Sequence, residues 1–408
     1  MTRDPTAPPP APRIASMDQF RGLTILGMFA VHYSGFDWGI DLSPIFRHHG
    51  YYLSVGDLFF PWFHFAAGFS LRLALLRRLA AGGPAAAYGR TVRRCLLLVL
   101  LSLPFGRLSS WGLPARADGL ARTAAFLKLD AWDILAIIGI TSLWILPVVG
   151  RSARVRVAFL LGSAAVHVLI CHLFYVDFVY GRPNPVDDLL GTVGVGGREG
   201  GPLGSLGWGC VQLAGSFAYD LVADGDARRS IRRLLGWSAA LMLAGYGLHC
   251  LSTLYPPSPS AGEEGRVAAS PVLPPALFEG PSGWRPSLAP PPFLLPEADE
   301  QRPMNYWLMS RHLGTPPFHL FATGLALGVY ALLVQLCDVG GLRVGVLRTF
   351  GQNPLIAYIV HMNLGGAIAN AWPEGGGWPL ALAGAAFRFA SEYLIMRFLE
   401  WRRIFLRL

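Results

Sequence analysis

His48 and His49 stand side by side a few residues before Asp57. An imidazole near a carboxylate suits proton abstraction, because an ordinary histidine titrates near neutrality. Asp57 can orient such an imidazole, or serve as a negative charge at a helix start, where the helix dipole favours it. His32 and Tyr33 lie near the far end of the first apolar stretch, and Asp18 and Arg21 lie at its head in the run DQFRG. Arg93 and Arg94 open the third apolar stretch. Asn353 precedes Pro354, where its amide can bond a ligand or satisfy carbonyls freed by the proline, and His361 follows in the same stretch. His64 reads as a packing or pore-lining group. Arg388 and Glu392 sit four residues apart inside the last apolar stretch, a spacing that pairs charges along one helix face. Trp307, Arg311 and His312 fall in YWLMSRHLGTPPF and can contribute to a ligand cleft. Ionisable groups in such company are costly and mark function unless they are paired.

The elements that must position these residues follow from composition. The 408 residues are 53% hydrophobic and only 14% charged, whereas a soluble domain carries about 25% charged residues. The reading is an all-α, polytopic transmembrane bundle of about ten spans, each near the 17–25 residues needed to cross a bilayer. They are expected near 20–38, 53–76, 92–110, 131–149, 156–177, 203–223, 232–254, 316–338, 349–371 and 378–400. Helices are required because lipid cannot satisfy open backbone groups. Residues 1–13 read as a disordered cytoplasmic tail, with no cleavable signal peptide. Residues 14–408 read as one transmembrane domain carrying a Pro-rich loop at about 255–305, long enough to be either functional or disordered. The five cysteines show no metal spacing and read as small core residues, so no metal site is expected.

The net charge of +9 does not argue for nucleic acid, because basic residues collect in the cytoplasmic loops of membrane proteins. With the N-terminus inside, the arginines alternate to the cytoplasmic side: Arg3, Arg13 and Arg21, then Arg72 to Arg94, Arg151 to Arg156, Arg228 to Arg233, Arg343 and Arg348, and Arg397 to Arg407. Both termini are therefore expected in the cytoplasm. The histidine loop and the Pro-rich loop then face the opposite side.

These elements resemble the heparan-alpha-glucosaminide N-acetyltransferase family, polytopic membrane acyltransferases with bacterial relatives. The resemblance is carried by DQFRG, by LSVGDLFFPWFHFAAGFSL from Leu53 to Leu71, and by the basic start of the third stretch. FGQNPLIAYIVH from Phe350 to His361 and the terminal WRRIFLRL add to it. It is strongest over 13–110, patchy in the middle, and returns over 305–408. It implies transfer of an acetyl group from cytosolic acetyl-CoA, a co-substrate, to an amino sugar on the far side of the membrane. The family's catalytic histidine falls on His48 when one residue is gapped before Leu53, with His49 as the fallback. Where the family carries an asparagine near the end of span one, this chain carries His32.

Acyl transfer from a thioester needs a base or nucleophile, a stabilised oxyanion and a held carrier. His48 can deprotonate the acceptor or carry the acyl group itself, and the sequence leaves both open. Arg21, Arg93, Arg94, Asp18 and Asn353 lie on the carrier's side. Phe65, Ala66, Ala67 and Gly68 either let helices approach closely or leave a slot for the pantetheine arm. The expected partners are an acyl-CoA, a sugar or glycan acceptor and the lipid bilayer, in a bacterial cytoplasmic (inner) membrane. Pairing into a homodimer is left open. The rival class is a secondary transporter or flippase, which calls for paired broken helices in internal repeats. A scaffold without activity is the other.

Overall fold

The computed structural model describes residues 14–35, 46–50, 52–103, 119–257, 267–280, 283, 285–296, 302–372 and 377–406. The tail expected at 1–13 and parts of the histidine and Pro-rich loops lie outside them. The described chain is helical, with no strand and one isolated bridge between Val267 and Met304.

Thirteen α-helices follow one another among the described residues: α1 (Ala15–Gly35), α2 (Phe59–Ser102), α3 (Gly119–Ala125), α4 (Ile134–Val149), α5 (Ala153–Ile170), α6 (Val176–Val179), α7 (Pro185–Leu190), α8 (Ser205–Ala223), α9 (Ala227–His249), α10 (Pro316–Leu333), α11 (Gly345–Gln352), α12 (Pro354–Ala371) and α13 (Gly377–Trp401). A π-helical turn at Cys171–Tyr175 joins α5 to α6, and another at Val334–Val339 extends α10. Prolines open α10 and α12, where a missing N–H costs no intrahelical bond. Asp226 caps α9 by accepting from the Arg229 amide at 3.0 Å.

Among the described residues four helical segments are long and apolar enough to cross a membrane: Gly56–Ser102, Ala153–Val179, Ala227–Leu254 and Pro316–Val339. A fifth is added if Gly119–Asp130 and Ile134–Val149, bent by 88°, count as one span. Leu173 is 65% exposed and Leu243 73% exposed on the outer helices. Apolar surface of this extent needs an apolar surrounding.

The sequence reading placed a loop near residues 77–91. The structure keeps that stretch helical and reverses it at Gly83, whose φ of 75° breaks the helix ahead of Pro84. Arg78 Nη1 donates to Thr91 Oγ1 at 3.0 Å. A straight helix would hold these residues about 20 Å apart. α2 is thus two arms folded back on each other, and Leu71, Leu75 and Ala87 share one apolar cluster with Ile145 and Leu213.

The centre is an aromatic cluster between α1, α2 and α10. The Phe20 ring lies 5.7 Å from Trp62, 5.5 Å from Phe65 and 5.9 Å from Tyr330, in tilted and edge-on geometries that suit the ring quadrupoles. α8 meets the first arm of α2 backbone to backbone. A Cβ on Gly68 would fall 1.8 Å from the Gln212 carbonyl oxygen, and one on Gly215 2.0 Å from that of Phe65. The small residues of this arm therefore serve close approach to α8 rather than a slot.

The five cysteines are free thiols. The only lysine, Lys128, is buried, with Nζ at 2.7 Å and 2.6 Å from the two Asp187 oxygens and 4.0 Å from the Phe178 ring centre. Asn184 and Thr192 also bond that carboxylate, at 2.6 Å each.

Candidate functional site

The segment Tyr52–Leu58 turns tightly into α2. The Asp57 amide donates to the Ser54 carbonyl at 3.3 Å, and the Leu58 amide to that of Val55 at 3.2 Å. The turn sinks Asp57 to 1% exposure. A carboxylate so buried must be compensated. Asp57 Oδ2 accepts from the Ser54 amide at 3.1 Å and the Ser54 hydroxyl at 2.9 Å. Oδ1 receives His48 Nδ1 at 2.7 Å and Arg311 Nε at 3.2 Å.

This fixes the state of His48. A carboxylate only accepts, so Nδ1 carries the proton and Nε2 presents a lone pair when the ring is neutral. The His48 side chain is 29% exposed, open enough to meet a ligand. His49 points elsewhere, its ring 4.3 Å from that of Tyr52. Of the two neighbouring imidazoles, only His48 is brought to Asp57 among the described residues.

Arg311 enters from the turn before α10. There Thr315 Oγ1 donates to the Leu308 carbonyl at 2.5 Å and accepts from the Ser310 amide at 3.2 Å. Arg311 Nη1 also reaches Glu199 Oε1 at 2.7 Å, and its guanidinium lies 5.9 Å from the Phe60 ring centre. Glu199 has a positive φ of 50° inside a glycine-rich connection. Its carbonyl accepts from Trp208 Nε1 at 2.9 Å, which helps hold that backbone in place. Glu199 Oε2 is buried and has no partner among the described residues. One guanidinium thus bridges two carboxylates beside an open imidazole.

The described parts of the Pro-rich loop come to the same end of the molecule. The Phe293 amide donates to the Leu53 carbonyl at 2.9 Å, and the Met304 side chain meets Gly50. The loop is tied down by Ala268 to Met304 and by Tyr306 to Pro271, each at 2.9 Å. Below it, Tyr306 bonds His167 Nδ1 at 2.7 Å, and burial pushes the Tyr306 hydroxyl up.

His32 belongs to a second cluster. Its Nδ1 lies 2.8 Å from His361 Nε2, and His361 Nδ1 lies 2.9 Å from Glu392 Oε1. Tyr33 donates to Glu392 Oε2 at 2.5 Å, and Arg388 Nε to Glu392 Oε1 at 3.1 Å. The i,i+4 pair expected from spacing is therefore present, and it carries two histidines with it.

His64 is buried, with no charged partner among the described residues. It stacks on Trp208 at 4.8 Å, and its Nδ1 lies 3.2 Å from Gln212 Nε2.

At the other end, Arg21 Nη1 pairs with Asp18 at 3.2 Å and Nη2 bonds the Ser70 hydroxyl. Arg94 lies within charge range of Arg21 and Arg78, while Arg93 is exposed. Asn353 is occupied by the chain itself. Its Nδ2 donates to the Ile404 carbonyl at 3.1 Å, and its Oδ1 accepts from the Leu406 amide at 3.3 Å. Among the described residues no group of three or more His, Cys, Asp or Glu side chains is placed to hold a metal.

Sequence reasoning found His48, Asp57 and Arg311 as separate signals and missed Glu199. The single cue to Glu199 was a charged pair, Arg198 and Glu199, set within a run of glycines.

This is an all-helical protein with the apolar helices of a membrane protein and a charged, partly open site at one end. No protein-family model matches the chain, and no curated protein matches it.

Proposed function

We propose that the chain is a transmembrane acyltransferase that moves an acetyl group from cytosolic acetyl-CoA to an amino sugar on the non-cytoplasmic face. The observation that carries this reading is the His48–Asp57 contact at 2.7 Å, with Arg311 on the same carboxylate oxygen. The resemblance to the heparan-alpha-glucosaminide N-acetyltransferase family agrees with it. In this reading α1, the two arms of α2, α4, α5 with α6, α8, α9, α10, α12 and α13 are the ten crossings. Both termini are cytoplasmic, and the membrane is a bacterial inner membrane.

The chemistry follows from the side chains. His48 Nε2 takes a proton from the acceptor amine or hydroxyl. That atom attacks the thioester carbon, the new C–N or C–O bond forms, and the C–S bond breaks. The sulfur leaves with the electron pair, and the proton returns to it from His48. In the relay version His48 Nε2 attacks the thioester carbon and the C–S bond breaks with the electron pair leaving on sulfur. The acceptor nitrogen or oxygen then attacks the acyl carbon, the bond to Nε2 breaks, and the freed Nε2 takes the acceptor's proton, which neutralises the thiolate. Asp57 holds the ring in the tautomer that either version needs. Glu199 Oε2 supplies an acceptor for a sugar hydroxyl or ammonium. For the carrier, Arg21, Arg78 and Arg94 gather positive charge suited to phosphates.

The test is reconstitution with labelled acetyl-CoA and glucosamine. Wild type and His49→Ala should transfer label. His48→Ala should lose transfer about a hundredfold or more. Undiminished transfer by His48→Ala would remove the assignment, and sugar uptake into vesicles without any acyl-CoA would favour a transporter.

A further inference from the structure

The segment Pro286–Leu295 of the Pro-rich loop carries no charged side chain. It runs beside the C-terminal end of α9, and two contacts fix its height there. The Ser287 amide donates to Thr253 Oγ1 at 2.9 Å, and the Tyr246 hydroxyl donates to the Ala289 carbonyl at 2.8 Å. Arg232 and Arg233 are exposed and mark the end of α9 that stands in water. Thirteen residues separate Arg233 from Tyr246, about 20 Å along the axis, and twenty separate it from Thr253, about 30 Å. The hydrocarbon of a bilayer is about 30 Å thick. Where α9 crosses a bilayer, Thr253 thus lies at the far boundary and Tyr246 inside it. Side chains of a helix lean toward its N-terminus, which carries the Tyr246 hydroxyl deeper and not outward. Ala289 is held below the boundary with it.

The side chains suit that place. Leu288 is 82% exposed, Leu294 61% and Leu295 49%. They extend the bare side of α9, where Leu243 stands three residues before Tyr246 on the same helix face. Phe293 turns the opposite way. Its φ of 68° bends the chain, its ring lies 6.0 Å from that of Phe321, and the two leucines that follow are left outside.

The backbone suits it as well. Lipid excludes irregular chain because open N–H groups find no partner there. Pro286, Pro290, Pro291 and Pro292 have no N–H to satisfy. Ser287 donates its own to Thr253, Phe293 to the Leu53 carbonyl at 2.9 Å and Leu294 to the Pro291 carbonyl at 3.4 Å. Between Pro286 and Leu294, only the amides of Leu288 and Ala289 have no partner among the described residues.

We propose that Pro286–Leu295 is a membrane anchor seated in the non-cytoplasmic leaflet, with Leu288, Leu294 and Leu295 among the acyl chains just beneath the headgroups. The partner is lipid and not a second copy of the chain, because three leucines on one short segment are far from the area a stable protein interface needs. The proposal rests on α9 crossing the membrane, and not on acyl transfer. It holds the candidate site at bilayer level, since Phe293 bonds Leu53 and Leu53 belongs to the turn that carries Asp57.

The experiment is photocrosslinking of the full chain. Leu288→p-benzoylphenylalanine and, as the reference for α9, Leu243→p-benzoylphenylalanine are reconstituted in vesicles of phosphatidylethanolamine and phosphatidylglycerol. They are irradiated, and the adducts are read by mass spectrometry. Phospholipid should be the main adduct at both positions. A crosslinked dimer from position 288 would overturn the proposal in favour of a second copy. Adducts within the chain alone, or none, would overturn it in favour of a covered or a water-facing segment. Lipid at 243 without lipid at 288 would defeat the anchor and leave the crossing of α9 standing. No lipid at 243 would defeat the crossing, and the anchor with it. Should the 288 variant misfold, Leu294→p-benzoylphenylalanine gives the same readings from the other side of Phe293.

Discussion

Arg311 Nε lies 3.2 Å from the Asp57 oxygen that also receives His48. The guanidinium therefore bears on His48 through a shared carboxylate. It compensates the buried charge and leaves the imidazole partly open at the surface of the site. Asp57 without Arg311 would be a buried carboxylate held by one hydroxyl, one amide and one imidazole.

Asp57→Asn should keep the shape of the turn and lose the tautomer control of His48. The amide can donate to Nδ1 and so place the ring proton on Nε2. The expected result is a fall in acetyl transfer of about 10²–10⁴-fold with little change in KM for acetyl-CoA. Steady-state kinetics on reconstituted protein checks it; a loss of less than fivefold would speak against an Asp-held base.

Arg311→Ala should destabilise the fold by about 3–5 kcal/mol, because it strands Asp57 and leaves Glu199 without its guanidinium. Arg311→Lys should recover part of this and not all, because one ammonium cannot reproduce the fork that spans two carboxylates. Thermal unfolding in detergent, read as Tm against wild type, ranks the variants.

Gly68→Ala and Gly215→Ala should each destabilise by about 1–3 kcal/mol or more, since either methyl must push the α2 and α8 backbones apart. Both act on one helix contact, so the double variant should cost less than the sum of the two. Full additivity would mean that the two contacts are independent.

Arg94→Gln and Asn353→Ala separate carrier binding from architecture. Arg94→Gln should raise KM for acetyl-CoA about tenfold, the loss of one charge-assisted phosphate contact. Asn353→Ala should cost about 1 kcal/mol by releasing the segment at Ile404 and Leu406, with KM unchanged. A KM effect in Asn353→Ala alone would return Asn353 to the carrier site.

Lys128 and Asp187 form a buried pair far from the histidines in sequence. Asp187→Ala should destabilise by about 3–5 kcal/mol by leaving the ammonium unpaired. Lys128→Met combined with Asp187→Leu should restore much of that, and acetyl transfer by the double variant should stay at the wild-type rate. A double variant no more stable than the single would show that Asn184 and Thr192 depend on the carboxylate.

Much of the helical frame was legible because it is written locally. Apolar runs of fixed length and an i,i+4 charge pair are features of neighbouring residues, and Arg388–Glu392 forms as its spacing requires. The fold-back of α2 was half legible. Two apolar stretches were expected, but Gly83 and Pro84 join them with a helical reversal instead of a loop. His48, Asp57 and Arg311 each carried a local signal of chemistry. Their convergence carried none, because contact between elements distant in sequence depends on which helix faces meet and at what depth. The same holds for His32: its residue type could be read from the chain, but its partner, His361, follows from the contact of α1 with α12. Glu199 joins the site through a positive-φ backbone in a glycine-rich connection, and that direction exists only once α8, Trp208 and Arg311 are in place.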